Sequence, residues 1–263
     1  MLHNEAQIYP RFAGKVVLVT GAGTGLGAEI AVRAAKEGAQ VAVHFNRSRA
    51  GAEETLDRVR EAGSHGIVVQ ADISCQDQVE RMADDVFEAF GELDVLVNNA
   101  GDVAGNQLTW RELTQGDLDT VIDVNVKGTL LMTHEFGQRM VAQGRGVIIN
   151  VGSTVIVHGS SRAPHYVASK YAIVGITKSY ALAFAPSVRV NTFAPGSIET
   201  EQLMNRRDWA SGRREALLSH TPMGVIPLPE HIAGACLWLA TDEAAHLTGG
   251  FVPSDGGYTM VGA

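Results

Sequence analysis

The sequence predicts an α/β fold built on one doubly wound parallel sheet. Three observations carry this. Short β-branched apolar runs recur along the 263 residues and alternate with stretches of helical period. The first run, residues 15–20, empties into a glycine-rich turn that opens a helix. Hydrophobic residues make up 45% of the chain and glycines number 29, which suits one sizeable core with many tight strand–helix turns.

In chain order, residues 1–12 read as a loosely held tail. Lys15-Val16-Val17-Leu18-Val19-Thr20 is a strand buried on both faces. Thr20-Gly21-Ala22-Gly23-Thr24-Gly25-Leu26-Gly27 follows, then a helix through Lys36. This is the strand, glycine turn and helix of a dinucleotide-binding (Rossmann) unit. Its glycines admit a pyrophosphate close to the backbone, and the helix N-terminus offers unpaired N–H groups. Residues 40–45 form a second strand, 50–62 a charged helix and 66–70 a third strand. After Ala71-Asp72-Ile73, Ser74 is placed to cap a helix running to about Phe90. Residues 93–98 form the fourth strand, which ends in Asn98-Asn99-Ala100-Gly101. Past a loop holding Trp110, one long helix covers 117–141. Residues 146–151 are the fifth strand and lead to Ser153, and a helix over 162–184 carries Tyr166. Residues 188–193 are the sixth strand and run into Ala194-Pro195-Gly196. Residues 200–225 read as an inserted substrate lid, before a helix over 230–240 and a last strand near Phe251. No repeat, linker or low-complexity stretch divides the chain, so a single domain over 1–263 is expected.

Composition narrows the function classes. The net charge of −8 argues against a nucleic-acid backbone as partner. Cys75 and Cys236 are far apart and show no metal-type spacing, so neither a disulfide framework nor a metal site is expected, and a reducing cytoplasm fits. The chain start lacks a basic segment followed by an apolar run, and no stretch has the length and apolarity of a membrane span. Asn46-Arg47-Ser48 matches a glycosylation sequon that a cytoplasmic protein would not use. Cys236 sits among Ile232, Ala235, Leu237 and Leu239 and reads as core.

The stretch with most chemical promise is Tyr166-Val167-Ala168-Ser169-Lys170. A tyrosine and a lysine four apart share one helix face. A nearby ammonium favours the phenolate, so the phenol's pKa is expected below its ordinary value of about 10, within reach of proton transfer near neutral pH. With Ser153 upstream, the chain resembles the short-chain dehydrogenases/reductases from residue 13 onward. The motifs that carry the resemblance are the Thr20–Gly27 turn, Asp72, Asn98-Asn99-Ala100-Gly101, Asn125, Ser153, Tyr166-x-x-x-Lys170 and Pro195-Gly196, in the family's order and near its spacings.

The resemblance implies a nicotinamide-dependent oxidoreductase for carbonyl or alcohol substrates, with 3-oxoacyl reductases, sugar or polyol dehydrogenases and pteridine-type reductases as plausible relatives. It implies that Tyr166 is the proton donor in reduction and the base in oxidation. Lys170 would lower the Tyr166 pKa and bind the nicotinamide ribose. Ser153 would hydrogen-bond the substrate oxygen, and Asn125 would order a water behind the lysine. It also places Gly21, Thr24, Gly25, Leu26 and Gly27 at the pyrophosphate, Asp72 and Ile73 at the adenine, and Asn99, Ala100 and Gly101 along the adenosine. Ile198 and Thr200 fall at the carboxamide, on a segment that begins with the cofactor-binding Pro195 and Gly196. Each residue also has a plainer reading: Ser153 as a strand-end turn, Asn125 as a core amide at a kink, Asp72 as a turn residue and Asn98 as a bridge between strands. His158 and His165 are given no role. An alternative outside enzymes is an idle nucleotide-binding sensor on the same fold.

For the cofactor, the second strand ends His44-Phe45-Asn46-Arg47-Ser48. NAD-selecting folds carry an acid at this strand end for the ribose 2′-hydroxyl, and here Phe45 takes that slot. Arg47 suits a 2′-phosphate, with Asn46 and Ser48 as neutral donors. The segment resembles that of the NADPH-using pteridine reductases, although the basic residue those carry in the glycine loop is replaced by Thr24 and Gly25. NADP(H) is therefore expected over NAD(H), with NAD-linked alcohol oxidation as the alternative. In the lid, Arg206, Arg207, Arg213 and Arg214 are suited either to an acidic substrate group or to a solvated helix face, and Leu203, Met204 and Trp209 to covering a substrate. The apolar helices at 117–141 and 162–184, paired across a two-fold axis in the family, imply a homotetramer.

Overall fold

The computed structural model describes residues 9–103, 108–206 and 208–260. Its frame is a seven-stranded sheet in the order β3-β2-β1-β4-β5-β6-β7. The strands are β1 (Val16–Val19), β2 (Gln40–Phe45), β3 (Gly66–Gln70), β4 (Val95–Asn98), β5 (Gly146–Val151), β6 (Val188–Pro195) and β7 (Phe251–Ser254). Every neighbouring pair is parallel. Helices α1 (Gly25–Lys36), α2 (Arg49–Glu61), α3 (Gln76–Phe90), α4 (Gln115–Val121) and α5 (Thr129–Gln143) precede the short α6 (Val155–His158). They are followed by α7 (Pro164–Phe184), α8 (Glu201–Met204), α9 (Arg214–His220) and α10 (Pro229–Trp238).

Alternation along the strands makes two cores. Val17 and Val19 of β1 pack on one face with Ile30, Ala34, Val59 and Leu237 from α1, α2 and α10. Val16 and Leu18 pack on the other with Met82, Val86, Met132 and Phe136 from α3 and α5. Successive side chains of a strand point to opposite faces, so a wholly apolar strand demands cover on both. The chain builds β1, β2 and β3 outward in one direction and then crosses to β4 on the other side of β1. The strand order therefore reverses between β1 and β4, and a crevice opens at their carboxyl ends.

Three local expectations change. Residues 9–12 are not a loose tail: Phe12 is buried in the first core and Arg11 forms an ion pair with the fully buried Glu37. Residues 1–8 lie outside the described residues. Ser74 does not cap α3. The residue before the helix is Cys75, with no side-chain cap, and the Ser74 hydroxyl instead donates to Asp72 Oδ1 at 2.7 Å. A carboxylate two residues back offers a charge-assisted bond that the helix N–H groups do not match. The helix expected over 117–141 is broken into α4 and α5 by a π-helical stretch, Ile122–Gly128, that contains Asn125.

Candidate active site

The glycine turn is shaped by contacts that allow no side chain. Gly21 and Gly25 adopt φ of +62° and +58°, and a Cβ on Gly21 would sit 2.9 Å from Ala100 Cα. Helix α1 starts at Gly25 with no side-chain cap from Thr24 and no acid in its first turn. Its leading N–H groups and dipole are thus free to meet an anion. His44 anchors this turn from β2. The Gly21 N–H donates to His44 Nδ1 at 3.1 Å, so the ring proton must be on Nε2, which donates to the Ala71 carbonyl at 3.0 Å. Burial pushes the His44 pKa down to about 4, so the ring is neutral. On the other side Thr20 Oγ1 accepts from the N–H groups of Asn99 and Ala100, both at 2.9 Å, and ties β1 to the end of β4.

These ends open into one cleft of about 1070 Å³. Near the end of β2 it is walled by Asn46, Arg47, Ser48, Asp72 and Ile73. The Ser74 hydroxyl holds the Asp72 carboxyl below its ordinary pKa; partial burial opposes this, while the Asn46 side chain and the Arg47 charge add to it. Further along, the walls are Asn99, Ala100 and Gly101 from the β4 loop, then Pro195, Gly196, Ile198 and Thr200 after β6. Ser153, Tyr166 and Lys170 complete it.

Ser153 follows β5 directly, and Tyr166 and Lys170 face it from the first turns of α7. The Ser153 hydroxyl adjoins the Tyr166 phenol and acts to lower its pKa. Lys170 Nζ lies 5.6 Å from the Tyr166 ring centroid and donates to the Val151 carbonyl at 2.9 Å. Burial pushes the Lys170 pKa down to about 8. It also pushes the Tyr166 phenol up, against the lowering by Ser153. The expected lowering of the phenol by Lys170 is therefore corrected: desolvation leads and raises it, and the ammonium is turned away toward the Val151 carbonyl of β5.

Two predicted residues stand behind the cleft rather than on its wall. Gly27 is beneath the turn, where a Cβ would collide with the Gly21 carbonyl and the Asn99 amide, so its part is close packing. Asn125 is buried; its Oδ1 accepts from the Asp102 N–H at 2.7 Å, and its Nδ2 donates to the Asp102 carbonyl and to Ser169 Oγ, each at 3.0 Å. Its side chain thus locks the π-helical stretch to the β4 loop and to α7. Asn98 takes its strand-bridging reading: its Nδ2 donates to Asn150 Oδ1 at 2.9 Å and to Thr133 Oγ1 at 3.1 Å. The role of His44 escaped the sequence reading. Its one signal was a ring-nitrogen residue inside an otherwise apolar strand.

The sequence pattern of the short chain dehydrogenase family matches residues 15–211. The chain belongs to the short-chain dehydrogenase/reductase family. An uncharacterized oxidoreductase of Thermotoga maritima is 38% identical over 255 residues, covering 95% of this chain and 99% of the relative. Glucose 1-dehydrogenase 2 of Bacillus subtilis is 35% identical, with 96% and 98% covered. A 3-oxoacyl-[acyl-carrier-protein] reductase of Thermotoga maritima is 37% identical, with 95% and 100% covered. Among solved structures, levodione reductase superposes with a TM-score of 0.89 at 30% identity, covering 95% of this chain and 99% of that one. The short-chain dehydrogenase/reductase described here is thus an oxidoreductase of CH–OH and C=O groups, in a family that uses NAD(P)(H). Among the described residues no helix is long and apolar enough to cross a membrane.

Proposed function

We propose that the protein transfers a hydride between NADP(H) and a small carbonyl or alcohol substrate, with Ser153, Tyr166 and Lys170 at the reacting atoms and Asn125 as a positioning residue. The observation that carries this is the Ser153 hydroxyl beside the Tyr166 phenol, with Lys170 buried next to it, in the same cleft as the glycine turn. The uncapped start of α1 and the positive-φ glycines fit a dinucleotide's pyrophosphate. When bound, the nicotinamide supplies or accepts the hydride. Arg47, with Asn46 and Ser48, would hold a 2′-phosphate; Arg47 is exposed and forms no ion pair among the described residues. Asn99, Ala100, Gly101, Asp72 and Ile73 would hold the adenosine half, and Ile198 and Thr200, following Pro195 and Gly196, the carboxamide.

The proton side of the reaction belongs to this chain. In reduction Tyr166 gives its phenolic proton to the carbonyl oxygen, and Ser153 donates a hydrogen bond to the same oxygen as negative charge develops. Lys170 places positive charge behind the phenol once the cleft is filled. A half-buried phenol with a raised pKa stays protonated at neutral pH, the form that serves reduction. The names of the 3-oxoacyl reductase and levodione reductase relatives support that direction; the glucose dehydrogenase keeps sugar oxidation among substrates to be screened. The 200–225 segment serves as a lid over the substrate, the whole chain as one domain, and the assembly as a cytoplasmic homotetramer. Tyr166→Phe tests the assignment: turnover is expected to fall by two orders of magnitude or more, with cofactor binding by calorimetry largely kept. Near-native turnover would remove Tyr166 from the chemistry.

A further inference from the structure

The segment between β6 and α10 carries a charge imbalance at the cleft. Asp208 is the hub of three guanidiniums. Arg206 grips it through two bonds of 3.0 Å, Arg162 approaches at 3.3 Å and Arg213 at 3.4 Å. Three positive charges meet one negative, leaving two in excess. The neighbouring Arg214 does not add to them, because Glu199 neutralises it at 2.7 Å. Glu201 and Asp102 also reach the cleft wall, so the excess belongs to the Asp208 cluster and not to the cleft as a whole. Among the described residues of the cluster, Arg206 and Arg213 line the cleft with Ser153 and Tyr166, and with the apolar Leu203 and Leu217. Arg207 lies outside the described residues and plays no part in the argument.

The cluster is graded in exposure: the Arg162 side chain is 54% exposed and Arg213 37%, while its cleft-side member Arg206 is drawn inside. The Arg206 side chain is only 8% exposed. The Arg213 Nε is buried with no hydrogen-bond partner. Burial, together with the Arg206 and Arg162 charges, pushes the Arg213 pKa down. A buried guanidinium N–H without an acceptor is costly, as is crowding three cations on one carboxylate. An anion entering from the cleft would relieve both. Arg162 lies in the bend just before α7, which carries Tyr166, and Arg206 and Arg213 share the cleft with Ser153 and Tyr166, so the cluster flanks the end of the cleft assigned to proton exchange.

We propose that Arg213 and Arg206 select a substrate with a second, anionic group: an oxo or hydroxy compound carrying a carboxylate or a phosphate a few apolar atoms from the reacting carbon. This rests on the oxidoreductase reading above. The test compares kcat/KM for two matched pairs, methyl acetoacetate with acetoacetate and dihydroxyacetone with its phosphate, in wild type, Arg213→Gln and Arg213→Lys. The anionic member is expected to lead at least tenfold in one pair, and which pair tells carboxylate from phosphate. Arg213→Gln should cut that selectivity ratio about tenfold, with Arg213→Lys intermediate. The wild-type ratio should also fall with added sodium chloride, a readout that needs no variant. A merely structural clasp would lower both members of a pair together, and an unchanged ratio overturns the proposal, as does neutral preference in both pairs. Calorimetric titration with succinate and with inorganic phosphate separates the two readings. If no carbonyl is reduced with either cofactor while wild type binds an anion and Arg213→Gln does not, the oxidoreductase reading fails and the anion site stands. If carbonyls are reduced and neither anion binds, the anion site fails alone.

Discussion

Lowering the pH should loosen the glycine turn through His44. The ring is 1% exposed and its folded pKa is about 4, against an ordinary value of 6.5. The folded-state value is depressed, so between pH 6.5 and 4 the unfolded chain binds a proton that the folded chain does not. Stability from this group is fully present above about pH 6.5, is lost as pH falls, and is wholly gone below about 4. A shift of that size is worth roughly 3 kcal/mol in full, and about 2 kcal/mol of it is lost by pH 5. The geometry explains the cost: a proton on Nδ1 would face the Gly21 N–H donor at 3.1 Å, breaking the bond that anchors the turn. His44→Asn removes the titration while keeping an acceptor near the Nδ1 position. Urea unfolding at pH 7.5 and pH 5.0 checks the reasoning. Wild type should lose about 2 kcal/mol more than His44→Asn over that interval, a difference in which the other titrating groups cancel. Equal losses in the two proteins would show that His44 protonates as easily folded as unfolded, and the buried neutral ring would be refuted.

Two further outcomes follow from exposed groups. Arg47→Ala should remove most of a preference for NADPH over NADH of roughly ten- to a hundredfold in affinity, the size of one charge-assisted phosphate contact; equal or tighter NADH binding by wild type in calorimetry would reverse the assignment. Leu182 on α7 is 84% exposed, and Leu130 on α5 and Tyr171 on α7 are exposed as well. Leu182→Glu is therefore expected to shift sedimentation from tetramer toward smaller species, whereas a wild-type monomer at micromolar concentration would dismiss the tetramer.

Most of the frame was legible in the sequence because it rests on local rules. The runs at 40–45, 66–70 and 146–151 matched their strands to the residue, since β-branched stretches between glycines and charged helices leave little freedom of boundary. The cleft walls followed from strand ends. What escaped was decided by partners distant in sequence. Phe12 and Arg11 are held because the chain passes over Glu37 at the end of α1. The π-helical stretch around Asn125 has no spacing signature; it exists where one amide reaches Asp102 across to the β4 loop and Ser169 on α7. The lid arginines were ambiguous in the sequence because charge alone does not reveal burial, and only Asp208 shows which of them converge.

The direction of the Tyr166 shift is the sharpest instance. A lysine four residues on in a helix argues for a lowered phenol when the two groups are considered alone. Burial acts on both with opposite signs, because it disfavours charge: the phenol rises and the ammonium falls to about 8. Neither shift could be read from Tyr-x-x-x-Lys, since burial depends on what packs around the pair, including Val151 of β5 and Ser153 after it. The same desolvation makes the pair responsive. In the proposed reaction an oxyanion forming beside Ser153 would hold the Lys170 charge in place and draw the phenolic proton toward itself, favouring charge only where and when the substrate develops it.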